Sequence, residues 1–422
     1  MGLFESPGRP HCSGGGLIGL SQPSQEGEAA GNLPLPLLGD LPDLDGKRVL
    51  VRVDFNVPLH IGIDGRATVA DDFRITAAIP TLRWLLDQGA EVMACSHLGR
   101  PDNRRDPRWE MDPVRERLET LCPGVALSDN LRFDAGEKSN DPVFVASLID
   151  GFDAYVNEAF GVAHRRHASI VGPPEFLPSA AGLRLAREVE VLSGLLHEPA
   201  RPFVAVVGGA KVSDKIQVLR VLSTKVDTLI VGGGMAFTFL AAMGHSVGSS
   251  LLDPEHLAAC RELLDSGTEI LLPTDISALE PGGTFGRPSA GVGPRGGTKV
   301  TERDLADGWT GLDIGPDSAA AFADVVSHAG TVLWNGPMGA FEDSRFAAGT
   351  RVVARAVADS DAFSVVGGGD SASALEELGL ADRVSFLSTG GGASLSFLER
   401  EGDLPALDAL RHAPNVPGAP RQ

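Results

Sequence analysis

Lys211 and Lys215 stand four positions apart in a chain of 422 residues that has only six lysines. They follow an apolar run, Val204 to Val207, and two glycines, in the order Gly208-Gly209-Ala210-Lys211-Val212-Ser213-Asp214-Lys215. A helix beginning near Ala210 would set both ammonium groups on one face of its first turns. Two cations so close repel unless something negative lies between them. A phosphate is the natural candidate, helped by the positive end of the helix. The plainer alternative is a solvated face with two lysines. The stretch is not a Walker A loop, because the GxxxxGK[ST] spacing is missing there.

Four more apolar runs in this half meet glycine in the same way. Leu229 to Val231 leads to Gly232-Gly233-Gly234, Val332 to Asn335 leads to Gly336-Pro337, and Phe363 to Val366 leads to Gly367-Gly368-Gly369. Val384 to Leu387 leads through Ser388-Thr389 to Gly390-Gly391-Gly392. A buried parallel strand ending in glycine and then helix leaves bare backbone N–H groups where an anion can approach. Five such turns predict a sheet whose C-terminal edge holds a polyphosphate. After Gly369, Asp370 and Ser371 add a carboxylate and a hydroxyl. Asp370 suits Mg²⁺, which takes one carboxylate plus phosphate oxygens, or it is simply a helix N-cap. Glu342, beyond Asn335-Gly336-Pro337, suits the hydroxyls of a ribose.

Strands in the first half end in different chemistry. Val49 to Val53 runs into Asp54-Phe55-Asn56, and Glu91 to Cys95 into Ser96-His97-Leu98-Gly99-Arg100. Arg132 and Arg165 also follow predicted strands, and Arg74, His164, Arg166 and His167 complete the candidates. Strand ends of a parallel sheet converge on one crevice, and arginine forks grip carboxylate and phosphate. A small, multiply charged acid is the expected ligand, with Asp54 and Asn56 placed for a hydroxyl. His97 reads as a phosphate ligand or a general base. His164 and His167 have metal-like spacing but no evident third ligand.

The elements that must carry these residues alternate strand and helix from Leu41 past residue 390, which predicts parallel sheets covered on both faces. Thr81 to Asp87 reads as one covering helix. A longer helix is predicted over roughly 179–197, before Pro199 and Pro202, where the chemistry changes. We expect two Rossmann-like α/β domains joined by this hinge helix. The boundaries are a disordered extension over 1–32, an acid-binding domain over 33–182, a hinge over 183–202, a nucleotide-binding domain over 203–404 and a tail over 405–422 with one short helical run, Ala406 to His412. Acidic residues outnumber basic ones, 56 to 36, for a net charge of −20, so nucleic acid would be repelled. No apolar run is long enough to cross a membrane. Four scattered cysteines argue against zinc or a disulfide framework and fit a reducing cytoplasm.

With these residues in place, the chain resembles the phosphoglycerate kinase family from Leu41 to about Glu401. The matching stretches are Val51 to Pro58, Ser96 to Pro101, Asn130 to Phe133, Asn157 to Gly161 with Ala163-His164-Arg165, and Gly208 to Lys215. Asp313 to Pro316, Trp334 to Glu342, Gly367 to Ser371 and Ser388 to Leu395 complete the order. The resemblance implies a glycolytic and gluconeogenic phosphotransferase that joins 3-phosphoglycerate on one domain to MgATP or MgADP on the other by hinge closure. It implies that Asp54, Phe55, Asn56, Arg74, His97, Leu98, Gly99, Arg100, Arg132 and Arg165 bind the acid. Gly208, Gly209, Lys211, Lys215, Gly311, Asn335, Glu342, Gly367, Gly368, Gly369, Asp370, Ser371, Gly390 and Gly391 would bind nucleotide. Arg74, Lys211 and Lys215 would act in catalysis, Asp370 would hold the metal, and the protein would be a monomer. Val162, Arg166 and Asp317 depart from the family pattern without removing a required group. A dinucleotide-dependent oxidoreductase would need a GxGxxG turn, which none of the five supplies. A two-lobed binding protein would leave Lys211, Lys215 and Asp370 unexplained, and a member that has lost activity would keep them.

Overall fold

The computed structural model describes residues 34–101, 103–286, 293 and 295–416. The extension expected over 1–32 lies outside the described residues. Near the chain start, Arg48–Arg52 forms the centre of a five-stranded parallel sheet. Its neighbours are Glu91–Cys95 on one side and Ala154–Asn157 on the other, with Ala126–Leu127 and Ser179–Ala181 at the edges. Val49, Leu50 and Val51 are buried on both faces of the sheet, as a central parallel strand requires. The helix Phe73–Asp87 covers it with Ile75, Ala78, Ile79, Leu82 and Leu85, an apolar stripe at helical spacing.

The second sheet has six strands, all parallel, in the order 269–271, 228–231, 203–207, 331–335, 363–367, 386–387. All five strand–glycine runs lie in it, and the last is shortened to Phe386–Leu387. Strand alternation did not foretell the antiparallel sheet beside it, where 275–279 pairs with 298–302 and 310–314.

The connecting helix is Leu183–His197. Residues 179–181, expected to be its first turn, instead pair as an edge strand with 155–157. The helix start is set by tertiary contacts. The Leu183 amide donates to Thr81 Oγ1 at 2.9 Å, and the Arg184 amide donates to both Glu158 carboxylate oxygens at 3.1 Å. Side chains from elsewhere therefore satisfy the free amides of the first turn.

The short helical run expected in the tail is the helix Pro405–Arg411, which packs on the first sheet's lobe. The Ala406 amide donates to Ala163 O at 3.1 Å, and Asn415 bonds both the amide and the carbonyl of Ser179. Its buried residues Leu407 and Leu410 belong to the same apolar cluster as Phe160 and Phe397, whose rings lie 6.4 Å apart. Among the described residues, no helix is long and apolar enough to cross a membrane.

Candidate active site

Five basic groups converge at the C-terminal edge of the first sheet. His97 is buried at the end of the strand Glu91–Cys95, and its pKa falls well below the ordinary histidine value. Burial is the main cause, followed by the charges of Arg52, Arg132, Arg165 and Arg74. The same crowding, led by burial, lowers Arg132 to about 10. Buried donors in folded proteins almost always find partners, yet the Nε atoms of Arg132 and Arg165 have none in the structure. Several cations with unused donors in one crevice describe a receptor for a multiply charged anion.

The neighbours hold this cluster in place. Asn130 caps its own turn, accepting from the Arg132 amide at 3.1 Å, and donates to Leu98 O at 2.8 Å. Arg132 Nη1 donates to Gly99 O at 2.7 Å, and the Gly99 amide donates to Asn56 Oδ1 at 2.8 Å. Asp54 accepts from Arg74 Nη1 at 2.7 Å. Phe55 and Leu98 are wholly buried in the apolar core. Their side chains do not reach the crevice, so any contact they make with an acid is through the backbone. Arg100 is exposed at the rim.

On the second lobe the lysines are arranged differently from the sequence expectation. Residues 208–215 form loop and turn, and the helix begins at Ile216, so Lys211 and Lys215 do not share a helical face. Lys215 turns inward, donating to Gly208 O at 2.6 Å, Asn335 Oδ1 at 2.7 Å and Asn335 O at 3.1 Å. It fastens two glycine turns together, and burial lowers its pKa to about 8 against the opposing charge of Asp370. Lys211 remains exposed. The helix Gly369–Glu377 starts directly after its strand, with Gly368 at N-cap in a positive-φ conformation of 98°. Asp370 sits in the exposed first turn and is not the N-cap; Ser371 Oγ accepts from the Gly336 amide at 2.7 Å. Glu342 is exposed, and Gly311 is buried against the ring of Phe237.

The lobes meet over a cavity of about 200 Å³. Asn56 and Arg74 line it from one side, and Gly368, Gly369, Ser388, Thr389 and Gly391 from the other. A larger groove of about 610 Å³ beside it is lined by Asp71, Asp72, Glu116 and Glu376 against one cation, Arg117, an excess of carboxylates that would repel an anion. Behind the smaller cavity, Thr389 donates through its amide and hydroxyl to Glu188 of the connecting helix, at 2.7 and 2.9 Å. Gly390 lies so near Gly161 of the first lobe that an added Cβ would sit 2.7 Å from the Gly161 Cα.

Sequence reasoning passed over Arg52, Glu137 and Ser169. A charged residue inside the run Val49-Leu50-Val51-Arg52-Val53 is the signal that could have marked the first, since a buried central strand admits a cation only with partners. Glu137 and Ser169 carry no such local mark. His167 faces Glu137, with Nδ1 3.6 Å from Oε1, so it adjoins this network. Among the described residues, no group of three or more His, Cys, Asp or Glu side chains could hold a metal ion.

The phosphoglycerate kinase family model matches residues 38–127 and 122–401. The phosphoglycerate kinase of Rubrobacter xylanophilus is 47% identical, over 81% of this chain and 90% of that protein. That of Moorella thermoacetica is 46% identical, over 81% and 91%. Among solved structures, phosphoglycerate kinase from Coxiella burnetii superposes with a TM-score of 0.76 at 37% identity, covering 89% of this chain and 99% of that one. The Pyrococcus horikoshii enzyme gives 0.75 at 28% identity, over 89% and 98%. Sequence and fold agree across both lobes and the cleft between them: the chain belongs to the phosphoglycerate kinase family.

Proposed function

We propose that this protein transfers a phosphoryl group reversibly between ATP and the carboxylate of 3-phosphoglycerate. The observation that carries the reading is the cavity with Arg74 and Asn56 on one wall and the Gly368–Gly369 turn on the other. A group arriving from each lobe would meet there. The unpartnered guanidinium donors of Arg132 and Arg165 fit an acid bearing both phosphate and carboxylate. Arg100 at the rim would guide and contact the same anion, with Asp54 and Asn56 taking its hydroxyl.

The acceptor carboxylate is already ionised near neutral pH, so the reaction needs no general base. A carboxylate oxygen of the acid attacks the γ-phosphorus as the bond to the β-phosphate oxygen breaks. Protein groups then have two tasks, alignment and neutralisation of charge on the moving group. Arg74 would stabilise the transferring phosphoryl from the acid side. Lys211, exposed at the opposite turn, would do so from the nucleotide side. Lys215 would contribute by holding the 208–209 and 335–336 turns in register, and its charge would favour phosphate there. Glu342 fits a ribose, while Gly311 would floor the base site beneath Phe237.

Asp370 would hold Mg²⁺, which fits one exposed carboxylate beside a helix N-terminus where phosphate oxygens supply the other ligands. When bound, the metal would neutralise charge on the phosphates. Closure about the helix Leu183–His197 would exclude water during transfer. We further propose that the protein works as a monomer in the cytoplasm. A coupled assay with 3-phosphoglycerate and MgATP tests the reading: turnover that requires both substrates supports it, and binding of both without turnover would identify a member that has lost activity.

A further inference from the structure

Beneath the basic crevice lies a chain of wholly buried polar groups that no step above uses. Arg52, Glu137 and Ser169 each have no exposed surface. Glu137 accepts from the Ser169 amide at 2.9 Å and from Ser169 Oγ at 2.7 Å. Having given its proton to Glu137, Ser169 Oγ is free to accept, and Arg52 Nε donates to it at 2.8 Å. Tyr155 fixes the same serine by donating to its carbonyl at 2.7 Å. The guanidinium then presents Nη2 to His97 Nδ1 at 3.3 Å.

The order of donors decides the state of the imidazole. A guanidinium has only donors, so Nδ1 of His97 must be the acceptor. The single proton of a neutral imidazole is thereby placed on Nε2. Asp54 Oδ1, at 3.9 Å from Nδ1, is too distant to take a proton from that atom. Burial and four surrounding arginines keep the ring uncharged. His97 therefore meets the acid as a fixed Nε2–H donor, neither a general base nor a cation.

We propose that Glu137 and Ser169 are positioning residues for substrate binding, acting through Arg52 to hold His97 in its Nε2–H tautomer. The hydroxyl bridge sets the guanidinium angle, and the buried carboxylate supplies its counter-charge. The inference rests on the proposed acid site, because it needs His97 to donate to 3-phosphoglycerate. It predicts a residue-to-residue path: loss of Glu137 should act on acid affinity through His97 and leave the nucleotide lobe untouched.

Long-range ¹⁵N NMR of the histidine side chains in the unmodified protein, with His97 assigned by its loss in His97→Gln, reads the tautomer directly. A pyridine-type Nδ1 and pyrrole-type Nε2 are expected at neutral pH. An Nδ1–H ring or an imidazolium overturns the proposal whether or not the enzyme is active. Steady-state kinetics supply the second reading. Glu137→Gln should raise KM for 3-phosphoglycerate roughly tenfold, the value of a hydrogen bond to a charged group, with KM for ATP unchanged. In a His97→Gln background the same substitution should have little further effect. A full effect in that background would show that Glu137 does not act through His97 and would sink the proposal. If Glu137→Gln does not fold, Ser169→Ala, which removes only the bridging hydroxyl, takes its place in the cycle with the same two outcomes.

Discussion

Arg74 Nη1 rests 2.7 Å from Asp54 Oδ2, with the carboxylate buried and about a third of the arginine side chain exposed. This ion pair stands where the helix Phe73–Asp87 begins, and Arg74 lines the cavity shared with Gly368 and Gly369. Asp54 thus holds a cation ready at the cleft without burying it. Arg74→Ala should lower kcat by roughly 10²–10³, the cost of losing one donor aimed at transition-state charge. KM for ATP should stay nearly constant, because Arg74 belongs to the acid lobe. Arg74→Lys keeps the charge but loses the fork and should recover only part of the rate. Undiminished turnover in the alanine variant would remove Arg74 from the chemistry.

Lys215 makes a second prediction, about pH. Burial lowers its pKa to about 8, so the charge is present below that value and lost above it. For the free enzyme, kcat/KM for ATP should fall on the alkaline side with a midpoint near this pKa, while kcat/KM for 3-phosphoglycerate keeps a different profile. Lys215→Arg, which stays charged, should move the limb to higher pH. An unchanged limb in that variant would assign it to another group.

The fate of Lys215 also shows how far the sequence could be read. The five strand–glycine runs announced the second sheet because each combines a largely apolar stretch with residues that cannot continue it. The direction of Lys215 could not be read in this way. It depends on Asn335, 120 residues away, offering two acceptors, and no local spacing encodes that. The crevice on the first lobe was legible through arginines at strand ends, but its foundation was not. Arg52 is visible as a charge in an apolar strand, whereas Ser169 is an ordinary serine until Glu137 and Arg52 are placed on either side of it. The start of the connecting helix was misread for a similar reason, since Thr81 and Glu158 fix it from outside.

Gly390 offers a test of lobe contact. Its φ of −129° is open to any residue, so alanine there is not excluded by local backbone strain. An added Cβ would meet Gly161 Cα at 2.7 Å and the Phe160 ring at 2.9 Å, closer than such contacts allow. Gly390→Ala should therefore hold the lobes apart. We expect kcat to fall at least roughly tenfold, since small misplacements cost up to about 10²-fold, while each substrate still binds its own lobe. Small-angle scattering should show a variant that stays more extended with both substrates present. Wild-type compaction together with wild-type kcat would disprove the contact's role.

Stability should also depend on pH in an unusual direction. Burial raises Glu158 from 4.5 to about 8 and Asp313 from 3.8 to about 7. For each, the folded state binds a proton that the unfolded state has lost, so stability falls as pH rises from the unfolded to the folded pKa. His97 and His164 work in the opposite sense, because burial lowers both below 6.5. Their contribution increases with pH and is complete once pH passes that unfolded value. The two effects oppose one another at lower pH, while between pH 6.5 and 8 the carboxyls dominate, with Lys215, lowered from 10.5 to about 8, adding a smaller opposing gain near the top of the interval. There the melting temperature should drop by a few degrees, for roughly 2 kcal/mol lost. Glu158→Gln places an amide against the Thr81 and Arg184 donors, so it should be less stable at every pH. Its loss of stability between pH 7 and 8 should nevertheless be much smaller than in the unmodified protein, because Glu158 no longer titrates and only the last part of the Asp313 titration remains there. A wild-type melting curve flat across this interval would mean that these carboxyls are ionised well below it, held charged by the amides around them.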